Sequence, residues 1–315
     1  MSTDKHVDLE ALVMGDDRAD LSQATDPLAQ RAARGGAADP RDLVADLNAE
    51  REYAAARAES QQRSAGQGGA PTGPAGAQEP ASGQDSVDAQ GRPTHSSTGV
   101  PLDYSQQVPV RPATSVIMLR EGRGGDPLEV FVQHRVKTMD FAAGVVVFPG
   151  GRVDPEDSES ALTLPLDPAA EAAHTRAWER TDAAEAGGAR TLLACAVREV
   201  EEETGQRIAP AALSPWANLV TPPGRSKRFD TYFYVTGGAE LSALTHRTTE
   251  ATNSEWLSVR GLLEGERAER YRLMRPTLAL LTELEALGGL ASVMDLATGG
   301  ERTIESIRPR IPGVH

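Results

Sequence analysis

The chain has 315 residues, a formal net charge of −14 and 39% hydrophobic residues. That length admits one large domain or two modest ones, and the modest apolar share implies that part of the chain stays outside any core. Broad nucleic-acid binding needs a basic field over the phosphates, which this acidic chain lacks, and a membrane span needs an apolar run of about 18 residues, which is absent.

Residues 1–108 read as a disordered, acidic, Gly- and Ala-rich tail. They hold 17 acids against 9 bases, a balance of −8. Residues 1–20 carry acids throughout and no apolar stretch of the signal-peptide type. Residues 42–57 favour a helix by composition, although an isolated helix that short is marginal in water. Residues 64–99 are mostly Gly, Ala, Ser, Pro, Gln and Asp, too poor in large apolar groups to offset the entropy of ordering. The single Cys195 permits no intramolecular disulfide, which fits a cytoplasmic location; its apolar neighbours Leu192, Leu193, Ala194, Ala196 and Val197 make it a buried small hydrophobe rather than a nucleophile.

A folded domain is expected over residues 109–290, with 291–315 as a C-terminal extension. Strands are expected over 114–119 and 128–134, joined by a Gly-rich hairpin loop at 121–126. A third strand, 144–148, ends at Pro149-Gly150-Gly151. One helix is expected over 167–187, opened by Asp167-Pro168, and a second over 189–204, closed by Gly205 in a left-handed cap. A Pro-rich turn at 221–224 precedes a strand over 229–236. Another strand near 255–259 and a helix over 276–287 complete the pattern. Interleaved strands and helices with hairpins among the strands indicate an α/β (α+β) fold, a mixed sheet between helices.

The helix over 189–204 carries the unusual chemistry. At about 100° per residue, Glu199, Glu202 and Glu203 share one side, Leu193, Val197 and Val200 form a core stripe, and Glu201 points to solvent. Glu199 and Glu203 are like charges at i,i+4, and all the glutamates lie in the last turns, where the helix dipole favours cations. A divalent cation such as Mg²⁺ reverses both penalties, because hard cations prefer carboxylate oxygens. The plain alternative is a solvated acidic face. The upstream bend Phe148-Pro149-Gly150-Gly151 adds a place of close backbone approach.

Together these residues resemble the Nudix hydrolases, whose box runs Gly, five residues, Glu, seven residues, then Arg-Glu-apolar-x-Glu-Glu-x-Gly-apolar. Gly151 starts it here and Arg198-Glu199-Val200-x-Glu202-Glu203-x-Gly205 completes it. Asp157 replaces the first family Glu, the spacer is 40 residues (158–197), and Gln206 takes the final apolar position, with Ile208 nearby. The domain would thus carry an insertion, 158–190. Arg135, Gly144 and the Phe148-Pro149-Gly150-Gly151 run, with Arg228-Phe229-Asp230-Thr231, resemble the coenzyme A diphosphohydrolase branch, although Asp140 stands where that pattern has Arg.

The resemblance implies Mg²⁺ or Mn²⁺ held by Glu199, Glu202, Glu203 and the Gly150 carbonyl. It also implies Arg198 paired with Asp157, and a further carboxylate from a later loop, Glu250 first and Glu255 second. Arg135, Gly151 and Arg228 are the substrate-binding candidates, with Arg225 and Lys227 beside them. Trp216, Tyr232 and Tyr234 are either core residues or stacking partners for a base. The implied activity is hydrolysis of a diphosphate linkage in a nucleotide-like metabolite such as coenzyme A or an acyl-CoA. ADP-ribose, NADH or a nucleotide sugar, or a binding module without turnover, are the alternatives. The expected partner is this small molecule, with no membrane or nucleic acid; a homodimer is left open.

Overall fold

The computed structural model describes residues 87–96, 100–135, 145–185, 187–238, 241, 251–299, 302–309 and 311. The helix expected over 42–57, and Asp140, Gly144 and Glu250, lie outside the described residues.

β1 (Val110–Glu121) and β2 (Leu128–Arg135) form a hairpin across a loop in which Gly124 and Gly125 take positive φ. β1 outruns its expected 114–119 because its other edge pairs in parallel with β5 (Arg228–Gly237) all the way from Val110↔Arg228 to Leu119↔Gly237. β1 and β2 pair directly only from Leu119↔Val130 to Glu121↔Leu128 and then splay. The chain from 146 to 153 fills the splay. β3 (Val146–Val147) pairs with β2 at His134 and Gln133. The chain then crosses to β1, where Val116 N–H donates to the Pro149 carbonyl and Thr114 N–H to the Gly151 carbonyl, each at 2.8 Å. That crossing is why β3 is two residues rather than the strand expected over 144–148.

β4 (Ser214–Val220), β6 (Ala251–Ser258) and β7 (Ser306–Ile307) complete a sheet of order β3-β2-β1-β5-β4-β7, with β6 on β2. β4–β7 is parallel like β1–β5; the other ladders are antiparallel. Among the described residues the helices are α1 (Pro155–Thr163), α2 (Pro168–Ala177), α3 (Gly188–Thr204), α4 (Val259–Arg267), α5 (Arg275–Leu287) and α6 (Leu290–Thr298).

Strand alternation divides the core between the two faces. Ile117, Leu119, Val130, Val132, Phe233 and Val235 face α4, α5 and α6 through Leu262, Leu280, Leu284 and Val293. Val116, Met118, Phe131, Tyr232 and Tyr234 face α3 through Leu193, Ala196 and Val200. The result is the expected mixed sheet between helices. No single helix among the described residues is long and apolar enough to cross a membrane.

The helix expected over 167–187 ends at Ala177. Asp167 caps it as expected, accepting the Ala169 and Ala170 N–H groups at 3.0 Å each. Trp178 then turns wholly inward, edge-on to Tyr232 and Tyr234 at 5.2 and 5.6 Å between ring centroids. Thr181 Oγ1 donates to the Trp178 carbonyl at 2.7 Å and starts a separate 3₁₀ turn. Anchoring the tryptophan thus outweighs continuing the helix; full burial of so large a ring contributes about 3 kcal/mol. Arg190 of α3 ties α1 and α2 down, donating to the Ala161 and Leu164 carbonyls at 2.9 and 2.8 Å and meeting Glu171 at 2.7 Å. Residues assigned by sequence to the tail also touch the domain: Asp103 N–H donates to the Gly224 carbonyl at 2.9 Å, and the Tyr104 ring packs against Gly224.

A charged group is buried beneath β4. Glu283 of α5 is 1% exposed and accepts the Trp216 indole N–H at 2.9 Å, with Arg302 stacked 4.6 Å from the center of the same indole. Burial pushes the Glu283 carboxyl up to about 7, against the opposing pull of Trp216 and Arg302. A carboxyl raised in the fold holds its proton more firmly there than in the unfolded chain. Its contribution to stability is therefore full below its ordinary value and lost as pH rises through about 7. Glu283→Gln is expected to flatten this fall and to stabilise the protein at pH 8 by on the order of 1–2 kcal/mol. Denaturant melts at pH 5 and pH 8 check it; an unchanged pH slope in the variant refutes it.

Candidate active site

α3 ends as its sequence dictates, with Gly205 at φ 71 in the left-handed region and its N–H bonded to the Glu201 carbonyl. Ile208 supplies the apolar contact that Gln206 does not, at 5% exposure in the core of that face. The helix lies along the crossing segment, so its polar side meets the diglycine bend.

Two of the three expected carboxylates pack onto that bend. Glu203 is buried, and its Oε2 accepts the Gly150 N–H at 2.9 Å. Glu199 lies so close to Gly151 that a β-carbon there would sit within 2.7 Å of each carboxylate atom. Glycine at 151 leaves the Glu199 carboxylate room to lie against the backbone, and a larger residue would make that side chain move. Gly150, at φ 150, is required by the backbone, since a β-carbon would strike the Thr114 carbonyl and come within 2.6 Å of Ser115 Cα. Glu202 is 59% exposed and joins the group through Arg198 Nη1, which lies 3.1 Å from it and 2.9 Å from Glu199. Glu201 leans away as expected, toward Arg207 at 3.2 Å.

Arg198 meets Asp157 with both arms, Nε to Oδ1 at 2.8 Å and Nη2 to Oδ2 at 2.9 Å. This is the pairing the resemblance implied. Asp157 sits at the third position of α1, where Oδ2 also accepts the Asp154 N–H at 2.8 Å. Burial alone would raise the Asp157 carboxyl, but Arg198 and the Asp154 amide together hold it below its ordinary value. The same hydrogen bonds push the Arg198 guanidinium above its own. A bidentate pair of this kind fixes direction as well as charge, so it sets how α3 lies against α1. Cys195 is buried beneath them. Its sulfur accepts the Thr114 hydroxyl at 3.2 Å, and burial pushes the thiol up, away from nucleophilic use.

The charges around Glu199 do not balance. Burial raises its carboxyl above the ordinary value, Arg198 draws it down, and Glu202 and Asp157 raise it further. Among the described residues no group of three or more His, Cys, Asp or Glu side chains stands at ready-made ligand spacing. The donors are nonetheless hard carboxylate oxygens beside a backbone stripped of side chains, with one arginine shared among Asp157, Glu199 and Glu202. That chemistry fits a hard divalent cation.

The other candidates lie elsewhere. Arg135 ends β2, and its N–H donates to the Val145 carbonyl at 3.0 Å. Arg228 begins β5 with Nε donating to the Thr221 carbonyl at 3.0 Å. Both mark the end of the sheet where β1 starts. Glu255 sits on β6, 2.9 Å from His134 Nε2. Trp216, Tyr232 and Tyr234 are core residues at no more than 2% exposure, and none is a stacking platform for a base. The sequence reading missed the Gly150 amide as a hydrogen-bond donor, and it missed α1. The Asp154-Pro155-x-Asp157 run, a helix-start pattern, was the available signal for that helix.

A NUDIX domain model matches residues 109–278, 170 of the 315 residues. No curated protein matches the chain. Among solved structures, a NUDIX hydrolase from Alicyclobacillus acidocaldarius is 27% identical, covering 65% of this chain and 100% of its own, with a TM-score of 0.49. The NUDIX domain of Shewanella oneidensis NrtR, complexed with ADP ribose, is 13% identical, covering 58% and 91%, at 0.37. The Nudix hydrolase RenU from M. smegmatis is 16% identical, covering 56% and 83%, at 0.34. With the domain model spanning more than half of its length, the chain belongs to the NUDIX family.

Proposed function

We propose that this protein is a divalent-metal-dependent hydrolase that cleaves a diphosphate linkage in a nucleotide-like metabolite, with coenzyme A or an acyl-CoA as the first substrate to test. The observation that carries the reading is the packing of Glu199 and Glu203 onto Gly151 and Gly150 of one bend. The coenzyme A preference is supported by Arg135 and the Phe148-Pro149-Gly150-Gly151 run.

Nudix hydrolases generally use divalent metal ions. Glu199, Glu202, Glu203 and the Gly150 carbonyl would hold such an ion, Mg²⁺ or Mn²⁺. When bound, it neutralises charge on the diphosphate and makes water a stronger acid. The chain's own residues supply the rest. Arg198, fixed by Asp157, orients the helix end. Gly151 lets the Glu199 carboxylate lie against the backbone of the bend, where a substrate diphosphate would be met. A carboxylate takes the proton from the attacking water, and the box glutamates and Glu250 are the candidates for that role. Arg135 and Arg228 bind substrate phosphates.

The purified full chain with Mg²⁺ or Mn²⁺ is offered coenzyme A, acyl-CoA, ADP-ribose, NADH and nucleotide sugars, and the products are weighed by mass spectrometry. Cleavage of at least one into two phosphorylated halves, abolished by a chelator, is the expected result. A folded protein that cleaves none of them with either metal overturns the reading.

A further inference from the structure

Two hydrogen-bond donors on the α3 face of the sheet are left without acceptors. Gln133 of β2 is 3% exposed, and its Nε2 is buried with no partner among the described residues. The Nε1 of Trp256, on the neighbouring strand β6, is in the same state. Register places the two together. Phe131 pairs with Trp256 and Gln133 with Ser254, and the Phe131 and Trp256 rings meet edge-on with centroids 5.5 Å apart. Phe131 packs toward α3, and side chains two apart on a strand share a face, so Gln133 and Trp256 are diagonal neighbours on that side. On its other edge Gln133 pairs with Val147, three residues before Gly150. The donor pair therefore lies one strand from the bend, on the side where Glu203 meets it.

Elsewhere this chain satisfies such groups. The Trp178 indole donates to the Tyr234 hydroxyl at 3.3 Å, the Trp216 indole to Glu283 at 2.9 Å, and the Asn218 amide to Asp230 at 2.6 Å. Burying a donor without an acceptor costs stability, so two in one patch call for an acceptor from outside the fold. Trp256 is also held in direction. Phe131 lies against it, and Arg120 stacks 4.3 Å from its ring centre while pairing with Glu129 at 2.6 Å. Val147, Ser254 and Trp256 around Gln133 are half-buried, which leaves the patch an opening. The acceptor is neutral. Neither donor carries charge, the nearby guanidinium is already paired, and the buried Glu203 carboxylate would repel an anion on this face. A carbonyl oxygen or a ring nitrogen meets these terms; a phosphate does not.

We infer that Gln133 and Trp256 form a specificity subsite that holds a neutral acceptor of the nucleotide-like substrate, a ring nitrogen of a base or an amide carbonyl, beside the diphosphate. Adenosine, which offers ring nitrogens, and pantetheine, which offers amide carbonyls, are each added to the full chain in EDTA. At a probe concentration about tenfold above its dissociation constant, at least one of them raises the melting temperature by about 3–5 °C. Adenosine as the binder assigns the subsite to a base, and pantetheine assigns it to an amide. Gln133→Met and Trp256→Phe remove the donors and keep most of the bulk. Each binds that probe about fivefold to tenfold more weakly by calorimetry. Gln133→Met melts no lower than the parent without ligand, because an orphan donor is gone. A glutamine needed only for packing would lower that melt and leave the affinity for the probe unchanged.

No stabilisation by either probe, as a trapped water on the two donors would give, overturns the inference, and so does equal affinity in parent and variants. The inference rests on the diphosphatase reading for the class of substrate, but its test needs neither metal nor turnover. Cleavage of a diphosphate without probe binding therefore sinks the subsite alone, and probe binding without cleavage sinks the diphosphatase reading alone.

Discussion

Glu203→Gln lowers turnover of a diphosphate substrate at least about a hundredfold while the domain stays folded. The substitution keeps the side chain's shape, and the amide oxygen can still accept the Gly150 N–H that now lies 2.9 Å from the carboxylate. Only the charge leaves, and it leaves a buried position, where charge acts most strongly. Glu201→Gln is the control. It removes the same charge from the same helix, but from an exposed side chain facing Arg207. Turnover should therefore stay within about twofold of the parent, as for surface changes away from a site. Circular dichroism and thermal melts establish that both variants are folded. A Glu203→Gln enzyme with parental turnover at saturating Mg²⁺ and Mn²⁺ would refute the assignment of the bend as the reacting centre.

Gly150→Ala destabilises the domain by about 4 kcal/mol, or roughly 10 °C in melting temperature. Two causes add. The backbone sits at φ 150, which side-chain-bearing residues rarely adopt, and the new methyl would meet the Thr114 carbonyl and Ser115 Cα. Those are backbone atoms of β1, held in a ladder with β5, so they cannot step aside. Gly187→Ala separates the causes. Its φ is 83, but nothing lies within 4 Å of the added carbon, so it costs only about 1 kcal/mol. If both variants melt alike, the close approach of the bend to β1 is not what makes Gly150 necessary.

Much of this fold was legible where periodicity and punctuation agreed. α3 shows both, an apolar stripe at Leu193 and Val200 and a glycine stop at Gly205, and its observed bounds lie within a residue of the expected ones. α1 shows neither stripe nor length: only Asp157 and Ala161 are buried in nine residues, so its sequence looks like a loop. β4 was hidden by Pro215, by a register shift between Pro215 and Ala217, and by Asn218. Asn218 is polar yet fully buried because Asp230 accepts its amide at 2.6 Å, and Ser306 also bonds to it. Such satisfaction comes from distant strands, which no local pattern announces. In the site, the residue types and their grouping were readable from spacing. Which backbone group of Gly150 faces Glu203 was not, since that depends on how the chain crosses from β2 to β1.

Because the bend bridges the splayed strands, the candidate site should form late when the chain folds. The Gly150–Glu203 bond joins residues 53 apart, and Arg198 reaches Asp157 across 41. The first needs the bend docked on β1 and α3 formed, the second needs α1 against α3, and distant closures are slow. Substitutions at these contacts should hasten unfolding and leave the refolding rate nearly untouched, whereas changes within the hairpin should slow refolding.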